Sequence, residues 1–181
     1  PGLAARMAFL AAGVLTALLC LAPATARAYE DQVALSVDAN YAYAQDGIPM
    51  HGAGVGVSAG IGLGDTFTLQ FRGGYAAHPH SGDVSTAHLL SLTAEALYIV
   101  DILTWVPFFG AGIDGLLLVH DTTYASFEVH GIVGLDYLHS RSLAFGLDVR
   151  VGYVPFAMTR GGFSGLHVQA GLRVSWLFSR W

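Results

Sequence analysis

Eight segments between Gln32 and Phe178 alternate residue by residue, and in each of them one parity holds no Asp, Glu, Lys or Arg. Successive side chains of a β-strand point to opposite faces, so a split by parity is a split between two surfaces. The segments span 32–44, 53–63, 66–77, 88–100, 105–119, 126–138, 143–156 and 166–178. One parity is apolar or aromatic, as in Val33, Leu35, Val37, Ala39, Tyr41 and Tyr43 of the first segment. The other carries Gly, Ser, Thr, Asn and Gln, together with nine of the chain's 21 charges. Those nine are Asp38, Arg72, Glu95, Asp114, Glu128, Asp136, Asp148, Arg150 and Arg173. A soluble barrel puts its apolar parity inside and its charges outside. The uncharged parity is here too apolar to face water, so it faces lipid and the charged parity faces the interior. The fold class predicted is all-β, an eight-stranded antiparallel up-and-down transmembrane β-barrel.

Segments four and five are less regular. Leu89, Leu97, Ile99, Phe108, Leu116 and Leu118 fall on the inward parity. A bulge and apolar packing near the barrel ends both account for them, and the sequence leaves the two open.

The connections alternate in length. Residues 64–65, 101–104 and 139–142 form tight turns, whereas 45–52, 78–85, 120–125 and 157–165 are longer. An even number of strands with short turns at one end and longer loops at the other is the bookkeeping of a bacterial outer-membrane barrel, with turns and both termini in the periplasm. Outward aromatics cluster at two heights. Phe67, Tyr98, Trp105, Tyr137, Phe145 and Trp176 lie near the turn end, and Tyr41, Tyr43, Tyr75, Phe127 and Tyr153 near the loop end. Strand propensity accounts for aromatics in general but not for two bands on one face, which read as interfacial girdles.

Residues 1–28 read as a signal peptide. Arg6 supplies the positive n-region, Met7 to Leu21 the apolar core, and Ala26 and Ala28 the small-residue cleavage site. Residues 29–181 form the barrel domain. The one cysteine, Cys20, lies in the leader, so the mature chain has no thiol or disulfide chemistry. The net charge of −5 gives no reason to expect nucleic acid as a partner.

The chain resembles the small eight-stranded outer-membrane barrels of the OmpA transmembrane-domain and OmpX type. The likeness is architectural over residues 29–181, with one local motif. Gln169-Ala170-Gly171-Leu172-Arg173-Val174-Ser175-Trp176 resembles the family's C-terminal assembly signal, carried by Gln169, Gly171, Val174 and Trp176. The resemblance implies location in the outer membrane, contact with its lipids and delivery by the barrel assembly machinery.

An eight-stranded barrel has an interior just wide enough for side chains to fill. Six inward acids and three inward arginines therefore predict a polar plug of ion pairs, with Arg72, Arg150 and Arg173 as its hubs. Paired carboxylates also suit acid–base catalysis, but a filled lumen admits no substrate. His130 and His167 read as lumen hydrogen-bonding groups. His51, His78, His80 and His120 lie in or beside the loops, without a recognisable metal-ligand spacing. No metal site and no cofactor are expected.

Some members of the resembled family act on lipid A through a His and a Ser on the lipid-facing surface. Here His139-Ser140 falls in a turn on the wrong side, and His88 and Ser91 differ in parity. No triad is visible, so an enzyme is not expected. The leading reading is a non-enzymatic barrel with a structural or surface-interaction role. The alternatives are a narrow channel for small solutes or ions and a lipid A-modifying enzyme.

Overall fold

The structure, a computed structural model, describes residues 32–45, 51–64, 66–79, 86–100, 104–119, 123–157 and 164–179. The leader read from residues 1–28, His80 and His120 lie outside the described residues. Eight strands follow one another: β1 (Gln32–Ala44), β2 (His51–Gly62), β3 (Phe67–His78), β4 (Ala87–Ile99), β5 (Trp105–Val119), β6 (Thr123–Ser140), β7 (Leu143–Ala157) and β8 (Gly165–Ser179). Each pairs antiparallel with the next, and β8 returns to β1 from Gln32↔Ser179 to Ala44↔His167. Closure removes every sheet edge, which a bilayer requires because hydrocarbon offers backbone groups no partner.

The parity of the sequence holds in all eight strands. Every charged residue of the strands lies on the lumen side, and the opposite face exposes large apolar side chains from every strand. Leu92 is 75% exposed and Leu172 71%, values that make sense only with lipid as the outer solvent.

The irregular residues of β4 and β5 come from packing, because the β4–β5 ladder runs unbroken from His88↔Val119 to Ile99↔Phe108. At the loop end, Leu89, Leu116 and Leu118 join Ala42, Ala44, Ala76, Ala87 and Val154 in a buried cluster, with Tyr124 against it. With Tyr124, six of the eight strands contribute to this cluster at the loop end of the lumen. At the turn end, Leu97, Phe108, Ile132 and Ile99 form a second cluster against one wall. Beside it a cavity of about 100 Å³ is lined by Leu97 and Ile99 of this cluster and by Ser36, Thr68, Gln70, Asp136, Arg173 and Ser175, among others.

The register breaks lie elsewhere, between β6 and β7. Phe127 pairs with Phe156 but Val129 with Tyr153, which leaves one extra residue on β7. Pro155 sits in that bulge, where a residue without an N–H is tolerated. β6 is also longer than the sequence pattern predicts. It begins at Thr123, so the β5–β6 connection is only three residues and not the longer loop expected over 120–125. It ends at Ser140, so His139 and Ser140 belong to the strand and the turn is Arg141-Ser142. The ladder continues because hydrogen bonding between two paired strands does not stop at the edge of the lipid.

Candidate functional site

The lumen holds the nine inward charges together with His130 and His167. Asp38 accepts two hydrogen bonds from Arg72, Nε to Oδ2 at 3.0 Å and Nη2 to Oδ1 at 2.6 Å, and a third from Asn40 Nδ2 at 3.0 Å. Arg173 donates through Nη2 to both oxygens of Asp136 at 2.8 Å, and its guanidinium lies 4.7 Å from the centre of the Phe108 ring. That ring face adds a favourable cation–π contact. Arg150 meets Asp148 at 2.9 Å and Glu95 at 3.5 Å. Gln70 donates to Glu95 at 2.6 Å. His167 Nδ1 lies 2.7 Å from Glu128 Oε2. His130 stands between two acids, with Nε2 3.2 Å from Glu95 and Nδ1 2.7 Å from Asp114. Asp114 also accepts a hydrogen bond from the Thr93 hydroxyl. Each of the six inward acids therefore faces an arginine or a histidine.

Four of these pairs skip one strand, and the strand between contributes glycine. Asp136, Gly146 and Arg173 form one register row across β6, β7 and β8. Glu95, Gly112 and His130 form another across β4, β5 and β6. Asp38 is in register with Gly56 of β2, over which Arg72 of β3 reaches it. His130 and His167 flank Gly152 of β7, and Glu128 of β6 reaches His167 over it. A Cβ at Gly146 would overlap Asp136 Oδ1, and one at Gly112 would come within 2.7 Å of both Glu95 Cβ and His130 Nε2. The inward glycines thus clear the path along which charges meet.

Gly146→Val is accordingly expected to destabilise the barrel by about 1–3 kcal/mol, the usual cost of overpacking. Gly73→Ala on the outer face has nothing within 4 Å of the new Cβ and serves as the control. It should leave stability unchanged or raise it by roughly 0.5–1 kcal/mol. Urea titration of both variants folded into vesicles measures the difference.

The remaining sequence-predicted residues fall as follows. Near the turn end, Phe67 and Tyr98 are 5.3 Å apart, and Trp105 and Tyr137 4.9 Å. Phe109, absent from the sequence-based set, extends this row 5.1 Å from Tyr98. Phe145 lies 5.9 Å from the His139 ring, and Trp176 is exposed on β8. Near the loop end, Tyr41, Tyr75 and Tyr153 are exposed, with Tyr43 and Phe127 half-buried. Two histidines join this upper row. The Tyr41 hydroxyl bonds His51 Nδ1, with Tyr43 5.7 Å from the same ring, and the Tyr75 hydroxyl bonds His88 Nδ1 at 2.7 Å. His51 opens β2 and does not belong to a loop, while His78 is buried at the end of β3. Of the assembly-signal residues, Gln169 points into the lumen, Gly171 shares its parity, and Val174 and Trp176 face outward. Ser91 is buried inside, whereas His88 is on the outer face with Tyr75, so that pair does not meet. Ser140 lies beside Ser142 at the turn end.

Solved structures supply the comparison. Neisserial surface protein A superposes with a TM-score of 0.68 at 15% identity, covering 82% of this chain and 97% of that one. The N-terminal β-barrel domain of Pseudomonas aeruginosa OprF gives 0.58 at 18% identity, over 82% and 98%. The fold is that of the small outer-membrane β-barrels. The outer-membrane enzyme PagL shares it too, with a TM-score of 0.51 at 15% identity over 77% and 97%. At such identities the likeness is one of fold, and the fold carries both a surface protein and an enzyme. No protein-family model matches the sequence, and neither does any curated protein.

Sequence reading missed one feature of this outer-membrane-type lumen. Asp114, Glu128 and His130 converge on one point, with ligand-capable atoms within 4.8 Å of one another. Their spacing matches no metal motif because they come from two strands. The signal available was the hairpin register that sets Asp114 opposite Glu128.

Proposed function

We propose that this chain is an integral outer-membrane protein without catalytic activity, whose plugged barrel holds short loops at the cell surface in a structural or surface-interaction role. The observation that supports the reading is the packing of the lumen's loop-end half. An apolar cluster from six strands lies over a network in which every inward acid has a cationic or histidine partner. On this reading the loop-end cluster closes the lumen to solutes and substrates from the surface side. The outer surface adds support against a His–Ser hydrolase. Among the described residues, neither His88 with Ser91 nor His139 with Ser140 forms a hydrogen-bonded pair on the lipid face. The lipid-facing girdles suit outer-membrane lipids as the surrounding partner, and the β8 motif suits recognition by the barrel assembly machinery during biogenesis.

A second reading, a narrow conduit, draws on the turn-end cavity and its polar lining of Ser36, Thr68, Gln70, Asp136 and Arg173. Planar-bilayer recording separates the two. The plugged barrel is expected to give no stable open steps. Open steps whose size changes in Arg72→Ala or Arg150→Ala would establish the conduit and remove the plug.

A further inference from the structure

The convergence of Asp114, Glu128 and His130 has a second observation beside it, the buried Nδ1 of the His130 ring. The ring is fully buried, and its Nε2 lies 3.2 Å from Glu95 Oε2. Its Nδ1 lies 2.7 Å from Asp114 Oδ2, yet this contact is outside hydrogen-bonding geometry and Nδ1 makes no hydrogen bond. A neutral imidazole that donates from Nε2 presents a lone pair at Nδ1. Here Nδ1, without a hydrogen bond and flanked by acidic oxygens, is placed as a ligand atom. A carboxylate behind the imidazole with the other nitrogen turned toward acidic oxygens is the arrangement that orients histidine for a metal ion.

The surrounding groups complete that arrangement. Thr93 holds Oδ1 of Asp114 and leaves Oδ2 toward His130. His167 holds Oε2 of Glu128. Glu95 is itself fixed by Gln70 at 2.6 Å and Arg150 at 3.5 Å. Gly112 leaves the room in which Glu95 and His130 meet. The turn-end cavity reaches Gln70, the donor to Glu95.

We propose that Asp114, Glu128 and His130 bind one divalent first-row transition-metal ion inside the barrel, with Glu95, Thr93 and His167 as the supports that orient them. One imidazole and two carboxylates form a borderline N/O site suited to Zn²⁺ or Mn²⁺. Calcium needs six to eight oxygens, which the cluster does not offer. The ion would tie β5 and β6 to the charges of β4 and β8 at the centre of the lumen.

The test uses the full barrel folded in detergent, stripped with chelator, exposed to Zn²⁺ or Mn²⁺, and desalted. To remove competing imidazoles it carries His51→Ala, His80→Ala and His120→Ala. One ion retained per chain is expected, with a higher unfolding midpoint. Glu95→Gln should weaken binding about 10–100-fold by freeing the ring, and His130→Gln should abolish retention. Should His130→Gln fail to fold, electron–nuclear coupling of bound Mn²⁺ in the parent barrel reads the same point, since an imidazole nitrogen must be directly coordinated. Retention well below one ion per chain, binding indifferent to Glu95→Gln and His130→Gln, or Mn²⁺ without nitrogen coupling would each overturn the proposal. Protons alone would then hold His130 between its two acids.

Discussion

Arg72→Ala is expected to destabilise the barrel by about 3–5 kcal/mol, the cost of leaving a buried charge without its partner. Arg72 is only 4% exposed and Asp38 8%. The guanidinium reaches across β2 to bind both oxygens of Asp38, at 3.0 and 2.6 Å. After truncation the carboxylate keeps only the neutral donor Asn40, at 3.0 Å. On the loop side the cluster of Ala, Leu and Val side chains offers the carboxylate no replacement donor. The size of the effect therefore comes more from stranding Asp38 than from the attraction lost. That distinction is testable. Arg72→Ala combined with Asp38→Ala removes the stranded charge and should recover part of the loss, so the double variant falls short of the sum of the singles. Arg141→Ala, at an exposed turn, should stay within roughly 0.5 kcal/mol of the parent. Equilibrium unfolding in urea from lipid vesicles measures all four. An Arg72→Ala barrel within 1 kcal/mol of the parent would mean that the lumen is wetter than its packing implies.

Which residues face lipid and which face the lumen was legible in the chain, because a period of two needs no partner to be read. Asp38, Glu128 and Arg173 point inward on the evidence of their immediate neighbours alone. How those charges meet was not legible. Arg173 finds Asp136 because register places both beside Gly146, and register is set by turns and by barrel stagger, which no single strand encodes. The inward glycines read as small filler until that register is known. Then Gly112 and Gly146 become the openings over which pairs form. The inward leucines of β4 and β5 were ambiguous for a related reason. Leu89 and Leu116 break the polar parity only in isolation, and across the lumen they belong to one cluster with Ala42 and Val154. Strand ends were the least legible, as Thr123 and Ser140 show, since pairing continues beyond the lipid-facing pattern. The Asp114–Glu128–His130 convergence went unread because metal motifs are recognised by spacing along one segment, and a hairpin supplies the same donors from two.

Leu172→Arg should cost about 2–4 kcal/mol, whereas Leu166→Arg on the same strand and the same face should cost roughly 0–1 kcal/mol. Both leucines point outward from β8, and they differ in depth. Leu172 is the middle residue of Gly165–Ser179 and is 71% exposed, so a guanidinium there enters hydrocarbon. Leu166 is one residue from the loop end, in register with Tyr153 of the upper aromatic row, where an arginine can extend to the headgroups. The comparison holds strand, parity and substituent fixed, so strand propensity and side-chain size cancel and depth remains. It also separates lipid from water as the outer solvent. On a water-exposed barrel both substitutions would remove an exposed leucine and add a solvated charge, and both would be neutral or stabilising. Folding free energies in vesicles, with the heat-dependent gel shift of folded barrels as an independent readout, decide the matter. Equal costs at the two positions would show that the outer face of β8 does not lie in a bilayer, and the transmembrane reading would fall with it.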